Sequence, residues 1–337
     1  MRSAVIVDAV RTPIGKRNGM LKDWHPADLS ALTLQALVER NSLDPAAVDD
    51  VLWGCVSQTG EQTANLGRNS LLAAGFPEEV PGVTIDRQCG SSQQAVHFAA
   101  QGIMAGVYDI VIAGGVESMT RIPMGVTFEQ GPGFPYSPRM LERYENRLVP
   151  QGLSAEIVAE RWNLAREDLD RLSYDSHVRA AAATDEGRFE AQIVPVDVTL
   201  EDGSEETATV DQGFRRDTSL EVLGGLRPAF DSDGVVTAGN SSQISDGSGG
   251  LLMMGEDTAS DLGAKPLARV SHFALAGVDP VIMLSGPIPA TKKVLAQAGL
   301  EIGDIDLFEV NEAFAAVVAA WLADTGAPGE KVNVNGG

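Results

Sequence analysis

Two stretches of this chain repeat each other at one constant offset. Leu43-Asp44-Pro45-Ala46-Ala47-Val48-Asp49 falls on Leu300-Glu301-Ile302-Gly303-Asp304-Ile305-Asp306, matching a leucine, an acid, a β-branched residue and an aspartate. The helical patterns before them match as well, Leu37-Val38 on Val294-Leu295. Such self-similarity directs the chain toward two halves of like topology. In the first half, apolar runs alternate with helical patterns. Ala4-Val5-Ile6-Val7, Asp50 to Gly54, Val83-Thr84-Ile85 and Tyr108 to Gly115 read as strands, and the stretches from about Pro26 to Glu39, Thr63 to Ala74 and Ser91 to Met104 read as helices. Strand–helix alternation predicts right-handed crossovers and a parallel or mixed sheet covered on both faces, an α/β fold.

The character changes after Glu117. Prolines, glycines and aromatics crowd Ile122 to Tyr136, charged helices are expected over Ala155 to Ala165 and Glu167 to Asp185, and acidic residues dominate Glu201 to Glu206. This mixed segment reads as a loop region inserted over the core, where ligand contacts accumulate. Gly250-Leu251-Leu252-Met253-Met254 returns as a strand, and Asp306-Leu307-Phe308 reads as another. The division is therefore a first half over 1–118, an inserted loop domain over 119–248, a return strand over 249–264 and a second half over 265–337. On the repeat, Lys331 to Gly337 corresponds to the strand at Val83 to Ile85 and its turn, so the second half is expected to be incomplete.

Composition narrows the function classes. A chain of 337 residues with 44% hydrophobic residues, 5% aromatics and 36 glycines has ample core and many close backbone approaches. Its formal net charge of −22 opposes nucleic acid or an anionic membrane as partner, so an anionic substrate needs a local basic patch. Two cysteines, Cys55 and Cys89, make no disulfide framework and fit a reducing compartment. The opening Met1-Arg2-Ser3 shows no signal peptide, and no apolar run is long enough to span a bilayer. A cytoplasmic protein is expected.

Cys89 lies in Asp86-Arg87-Gln88-Cys89-Gly90-Ser91-Ser92, between a strand and a helix. A helix N-terminus favours thiolate over thiol, and Gly90 with two serines leaves the backbone open to a ligand. The plain alternative is a small buried thiol in a packed turn. Cys55 carries only that structural reading.

Six ordered motifs carry a resemblance. Arg11-Thr12-Pro13-Ile14-Gly15, Arg87 to Ser92, Ala113-Gly114-Gly115-Val116-Glu117-Ser118-Met119, Thr237-Ala238-Gly239-Asn240-Ser241-Ser242 with Asp246-Gly247, Asn311-Glu312-Ala313-Phe314-Ala315 and Asn333-Val334-Asn335-Gly336-Gly337 occur in the order found in thiolases. The resemblance covers the whole chain and implies the thiolase-like fold, two repeated sheet-and-helix halves with an inserted loop domain. It implies that Cys89 is the acylated nucleophile in thiolytic cleavage of 3-oxoacyl-CoA by CoA, or in the reverse Claisen condensation of acetyl-CoA. It implies that Asn311 holds an oxyanion-hole water, that Ala238 and Ser242 line the pantetheine tunnel, and that Arg215 contacts the nucleotide end of CoA. Gln151, where many members carry methionine, and Phe314 join the substrate-contacting set. CoA and acyl-CoA enter as substrates, with no metal and no permanently bound cofactor, and a homodimer or homotetramer is expected.

The Gly-His-Pro and Cys-x-Gly-Gly motifs of the family do not occur in these 337 residues. His25, His177 and His272 lie outside any motif, and His97 stands eight residues along the helix from Cys89. Little or no turnover is therefore expected of this chain. Two other readings stand beside the thiolase: a decarboxylating ketoacyl synthase of similar fold, and a non-catalytic CoA-binding or subunit-interaction module. The Gln-Cys-Gly-Ser-Ser and Gln151-Gly152 variants resemble members acting on medium or bulky acyl chains, including steroid side-chain degraders.

Overall fold

The computed structural model describes residues 2–200 and 202–337. Met1 and Glu201, the first residue of the opening motif and of the acidic run, lie outside the described residues. The chain forms two compact units. The first comprises Met1–Gly133, Phe189–Gly213 and Gln243–Ser271, and the second Phe134–Arg188, Phe214–Ser242 and His272–Gly337. The stretch 189–213 thus packs with the first unit rather than with the helices that precede it.

The strands are β1 (Ala4–Arg11), β2 (Gly15–Lys16), β3 (Asp50–Gly54), β4 (Gly82–Ile85), β5 (Ile110–Ser118), β6 (Val196–Thr199), β7 (Glu205–Ala208), β8 (Ser245–Gly255) and β9 (Ala268–Val270). The helices are α1 (Pro26–Arg40), α2 (Leu66–Ala73), α3 (Ser91–Met104), α4 (Val126–Glu129), α5 (Pro138–Arg143), α6 (Gln151–Arg161), α7 (Arg166–Asp185), α8 (Leu220–Gly224), α9 (Glu256–Asp261), α10 (Pro287–Ala298) and α11 (Ala315–Thr325).

In the first unit a seven-stranded mixed sheet runs β4-β3-β5-β8-β1-β9, with β2 paired to β8. β3 is parallel to β4 and β5, while β8 enters antiparallel between β5 and β1. Its eleven residues are more than double the five expected from the apolar run, because Asp246 to Gly249 continue the ladder opposite Gly115 to Ser118, and Ser245 pairs with Lys16, although they carry no apolar signal. Side chains alternate across the sheet. Val51, Trp53, Ile112 and Leu252 meet Leu34, Leu37 and Leu71 of α1 and α2 in one core, where Trp53 is fully buried and its indole N–H donates to Ser30 Oγ at 3.1 Å. The opposite face carries α3, whose Ala95, Ala99, Ala100 and Ile103 are completely buried.

Two glycines set how closely α3 sits. A Cβ on Gly54 would lie 2.4 Å from Ser92 N, and one on Gly115 would lie 3.1 Å from Ser92 Cβ. The start of α3 therefore rests directly on the end of β3 and on β5 at Gly115. A cleft of about 390 Å³ lies beside it, walled by Ser92, Gln93 and Val96 of α3 and by β1, β5 and β8. Cys89 does not line this cleft.

The second unit is helical. Ala315, Ala316 and Ala320 of α11 pack on Val158 and Ala159 of α6 and on Leu169 of α7, and Val318 and Trp321 pack with Ile288 of α10 and Val332. The strand expected at Asp306-Leu307-Phe308 is a single parallel bridge, Phe308 to Val332; Leu307 is 61% exposed, and no further pairing among the described residues extends the ladder. That bridge sits where the repeat requires it. Pro45–Ala47 and Ile302–Asp304 are both single 3-10 turns, and both are followed by parallel pairing in which Val51 N–H donates to Pro81 O at 3.2 Å and Phe308 N–H to Lys331 O at 2.9 Å. No helix among the described residues is long and apolar enough to cross a membrane.

Candidate active site

Cys89 stands one residue outside α3, whose N-cap is Gly90. The turn before it is closed by its own side chains. Gln88 N–H donates to Asp86 Oδ1 at 2.7 Å, Arg87 N–H to Ser91 Oγ at 2.9 Å, and Ser91 Oγ–H to Gln88 O at 2.5 Å. Gln88 itself has φ 49°, a left-handed conformation rare for a side chain of that size. Cys89 is thus held at the tip of a preformed turn, and the residue is exposed.

Desolvation pushes the Cys89 thiol above its ordinary range, hydrogen bonding by its own backbone opposes the shift, and the charge of Glu117 adds to it. Glu117 is the hub of this corner. Its Oε2 accepts Val56 N–H at 2.8 Å, while Oε1 accepts Ser57 N–H at 3.2 Å and Gln62 Nε2–H at 2.8 Å. Cys55 is 1% exposed, and burial followed by Glu117 raises its thiol far above the usual range. His97 is held below its ordinary value by desolvation first and Arg87 second.

The second unit gathers most of the other expected site residues through one backbone pairing. Ser241 bridges Phe314, Ser242 N–H donates to Ala313 O at 3.0 Å, and Ala315 N–H donates to Asn240 O at 2.9 Å. The Ala238 to Ser242 stretch therefore runs alongside Asn311 to Ala315. Phe314 is buried and meets Phe230 edge to face at 6.0 Å. Gly152, next to Gln151 at the start of α6, makes room for that ring, as a Cβ there would lie 2.1 Å from Phe230. Ala238, Ser242 and Asn311 are exposed, and the Asn311 carboxamide makes no hydrogen bond among the described residues. The Glu309 carboxyl nearby is raised by desolvation and then by Glu312.

Arg215 and its neighbour Arg216 differ. Arg216 is bidentate to Asp185 at 2.8 Å and 2.8 Å and lies 5.0 Å over the Phe214 ring. Arg215 forms no ion pair among the described residues, and its backbone N–H donates to His177 Nδ1 at 3.2 Å. Of these two, Arg215 has the guanidinium still open to a phosphate.

Sequence reasoning missed the residues that hold these segments. Asn240, 2% exposed, accepts Thr237 N–H at 2.8 Å and donates to Asp170 Oδ1 and Val235 O at 3.0 Å each. Asp170 is in turn paired with Arg166 at 2.7 Å. Asn240 and Asn333 stood inside quoted motifs, but a buried asparagine gives no signal of its partners in sequence.

Family models for the thiolase N-terminal domain and the thiolase C-terminal domain match residues 4–257 and 264–337. The chain belongs to the thiolase family. Among similar proteins, this thiolase is 48% identical to the steroid 3-ketoacyl-CoA thiolase FadA6 of Mycobacterium tuberculosis, over 100% of this chain and 83% of that protein. It is 44% identical to the 3-ketoacyl-CoA thiolase of Aliivibrio fischeri, over 100% of this chain and 87% of the relative. The crystal structure of the Bacillus anthracis acetyl-CoA acetyltransferase superposes with a TM-score of 0.90 at 40% identity, covering 100% of this thiolase and 86% of that chain.

Proposed function

We propose that this thiolase transfers acyl groups between CoA thioesters through a Cys89 thioester, cleaving 3-oxoacyl-CoA with CoA as second substrate. The Cys89 thiolate attacks the 3-oxo carbon. The C2–C3 bond then breaks with its electron pair on C2, which takes a proton as acetyl-CoA leaves. The thiol of a second CoA gives up its proton, attacks the acyl carbon and releases Cys89. Sulfur suits both halves because it serves as nucleophile and as leaving group. Asn311 orients a water on the developing oxyanion, its carboxamide being uncommitted to any other group. Ala238, Ser242, Gln151 and Phe314 line the path of the pantetheine and acyl chain, and Arg215 receives a CoA phosphate.

The observation that carries this reading is an exposed cysteine at the tip of a turn closed by the side chains of Asp86 and Ser91. The name of the relative FadA6 supports a bulky 3-oxoacyl substrate over acetoacetyl-CoA alone. The division into 1–118, 119–248, 249–264 and 265–337 is kept as the evolutionary one, with a homo-oligomer and a cytoplasmic location as further parts of the proposal.

The test is intact mass after incubation with acetyl-CoA and with a long-chain acyl-CoA. One acyl adduct is expected, mapping to Cys89 and absent from Cys89→Ser. CoA bound without an adduct would instead make the chain a binding module.

A further inference from the structure

Asn333 is 2% exposed and has φ 46°, a left-handed conformation that asparagine tolerates better than most side chains. Its carboxamide is spent on the residues either side of Asn311. Oδ1 accepts Val310 N–H at 2.8 Å, while Nδ2 donates to Val310 O at 2.9 Å and to Glu312 Oε1 at 2.8 Å. The first two bonds pair the side chain with the Val310 peptide groups as a neighbouring strand would. The third fixes the residue that follows Asn311. Asn333 N–H also donates to Phe308 O at 2.9 Å, so backbone and side chain together grip the segment from 308 to 312.

We propose that Asn333 is the positioning residue for Asn311, setting the direction of the oxyanion amide by clamping the backbone on both sides of it. The inference rests on the reading of Asn311 given above. Because the Asn311 carboxamide has no hydrogen-bond partner among the described residues, its direction is set through its backbone. That backbone is held before Asn311 by the buried Asn333 amide and after it by the pairing of Ala313 and Ala315 with Ser242 and Asn240. Only an amide of this length fits the set of partners. Aspartate would place a carboxylate against Val310 O and Glu312, and serine could not span both Val310 groups. The clamp is itself anchored from α7 and from the turn that follows it. Arg179 Nη1–H donates to Val332 O at 2.7 Å, and Arg188 Nη1–H to Asn335 Oδ1 at 2.7 Å. The inserted helix thereby reaches Asn311 through the 332–335 turn.

The experiment has two arms on the 337-residue chain. In the first, asparagine carboxamides are labelled with 15N and the Asn311 signals are identified by their loss in Asn311→Ala. Asn333→Ala is expected to shift or broaden them while those of Asn41, in the first unit, stay in place. In the second, acetyl transfer from acetyl-CoA to Cys89 is followed by intact mass. Asn333→Ala should slow it by about tenfold to a hundredfold, the scale of a misplaced catalytic group, with the half-saturating acetyl-CoA concentration unchanged within about twofold. The loss should vanish when Asn333→Ala is added to Asn311→Ala. If Asn333→Ala does not fold, Glu312→Gln loosens only the third bond and should move the same signals less. Unmoved Asn311 signals in either folded variant, or additive losses in the double variant, overturn the proposal. Acetyl transfer in Asn311→Ala as fast as in the original chain would overturn the oxyanion reading, while the first arm still decides whether Asn333 positions Asn311.

Discussion

A single carboxylate links the two cysteines of this thiolase. Glu117 hydrogen-bonds the turn that carries Cys55 and contributes to the raised thiol of Cys89. Like charge near a thiol disfavours thiolate, so removing it must lower the pH at which Cys89 reacts. Glu117→Gln keeps one acceptor oxygen and loses the charge. The midpoint of the pH profile for iodoacetamide modification of Cys89 should therefore move down, read by intact mass on the native protein. Cys55 should remain unmodified until the protein is denatured. A Cys89 midpoint that stays put in the folded variant would leave desolvation as the whole cause. The identity of Cys89 was legible in its motif, but the direction of its shift was not, because desolvation and Glu117 come from segments distant in sequence.

At the scale of elements, the approach of α3 to the sheet decides where Cys89 stands. The strand–helix order and the span of α3 from Ser91 to Met104 follow from apolar spacing alone. The depth of contact depends on Gly54 and Gly115. Gly54→Ala would push a methyl into the backbone of Ser92 at 2.4 Å. The variant should lose about 1–3 kcal/mol in urea denaturation, the usual cost of forcing extra volume into a packed site. Cys89 acylation should fall with it, as α3 and its turn are displaced. Wild-type stability in Gly54→Ala would mean that α3 can retreat without strain. The strand read at Asp306 to Phe308 shows the converse limit. Apolar character there announces a burial preference, whereas a strand also requires a neighbour along its length, and among the described residues Val332 alone supplies one.

For the whole molecule, charge and burial set the response to acid. His97 in the first unit and His177 in the second are both held below the ordinary value of 6.5, chiefly by desolvation, with Arg87 and Arg215 adding to it. A base whose folded pKa is depressed takes up its proton more readily when unfolded, so its contribution is present above 6.5 and is lost as pH falls below that value. The Tm should drop between pH 7 and pH 5.5, above the range where the lowered carboxyl of Glu61 near Arg121 begins to matter. His97→Gln and His177→Gln should each flatten that drop, and an unchanged slope in both would exclude these histidines as its source. The acidic balance of −22 belongs to the same scale, since an anionic substrate meets an unfavourable overall field and needs a local cation, the part proposed for Arg215.

The sequence by itself determined the α/β class, the repeat, the order of strands and helices in the first half and the motifs that mark Cys89 and Asn311. These are local in origin, since periodicity, turn chemistry and residue type within a short window are enough to express them. The tertiary structure alone decided that β8 lies between β5 and β1, that residues 189–213 join the first unit, that Arg215 rather than Arg216 is open, and that Asn240 and Asn333 hold the segments around Asn311. Each of these depends on which distant groups meet, and a hydrogen bond between residues far apart in the chain leaves no trace in the residues between them.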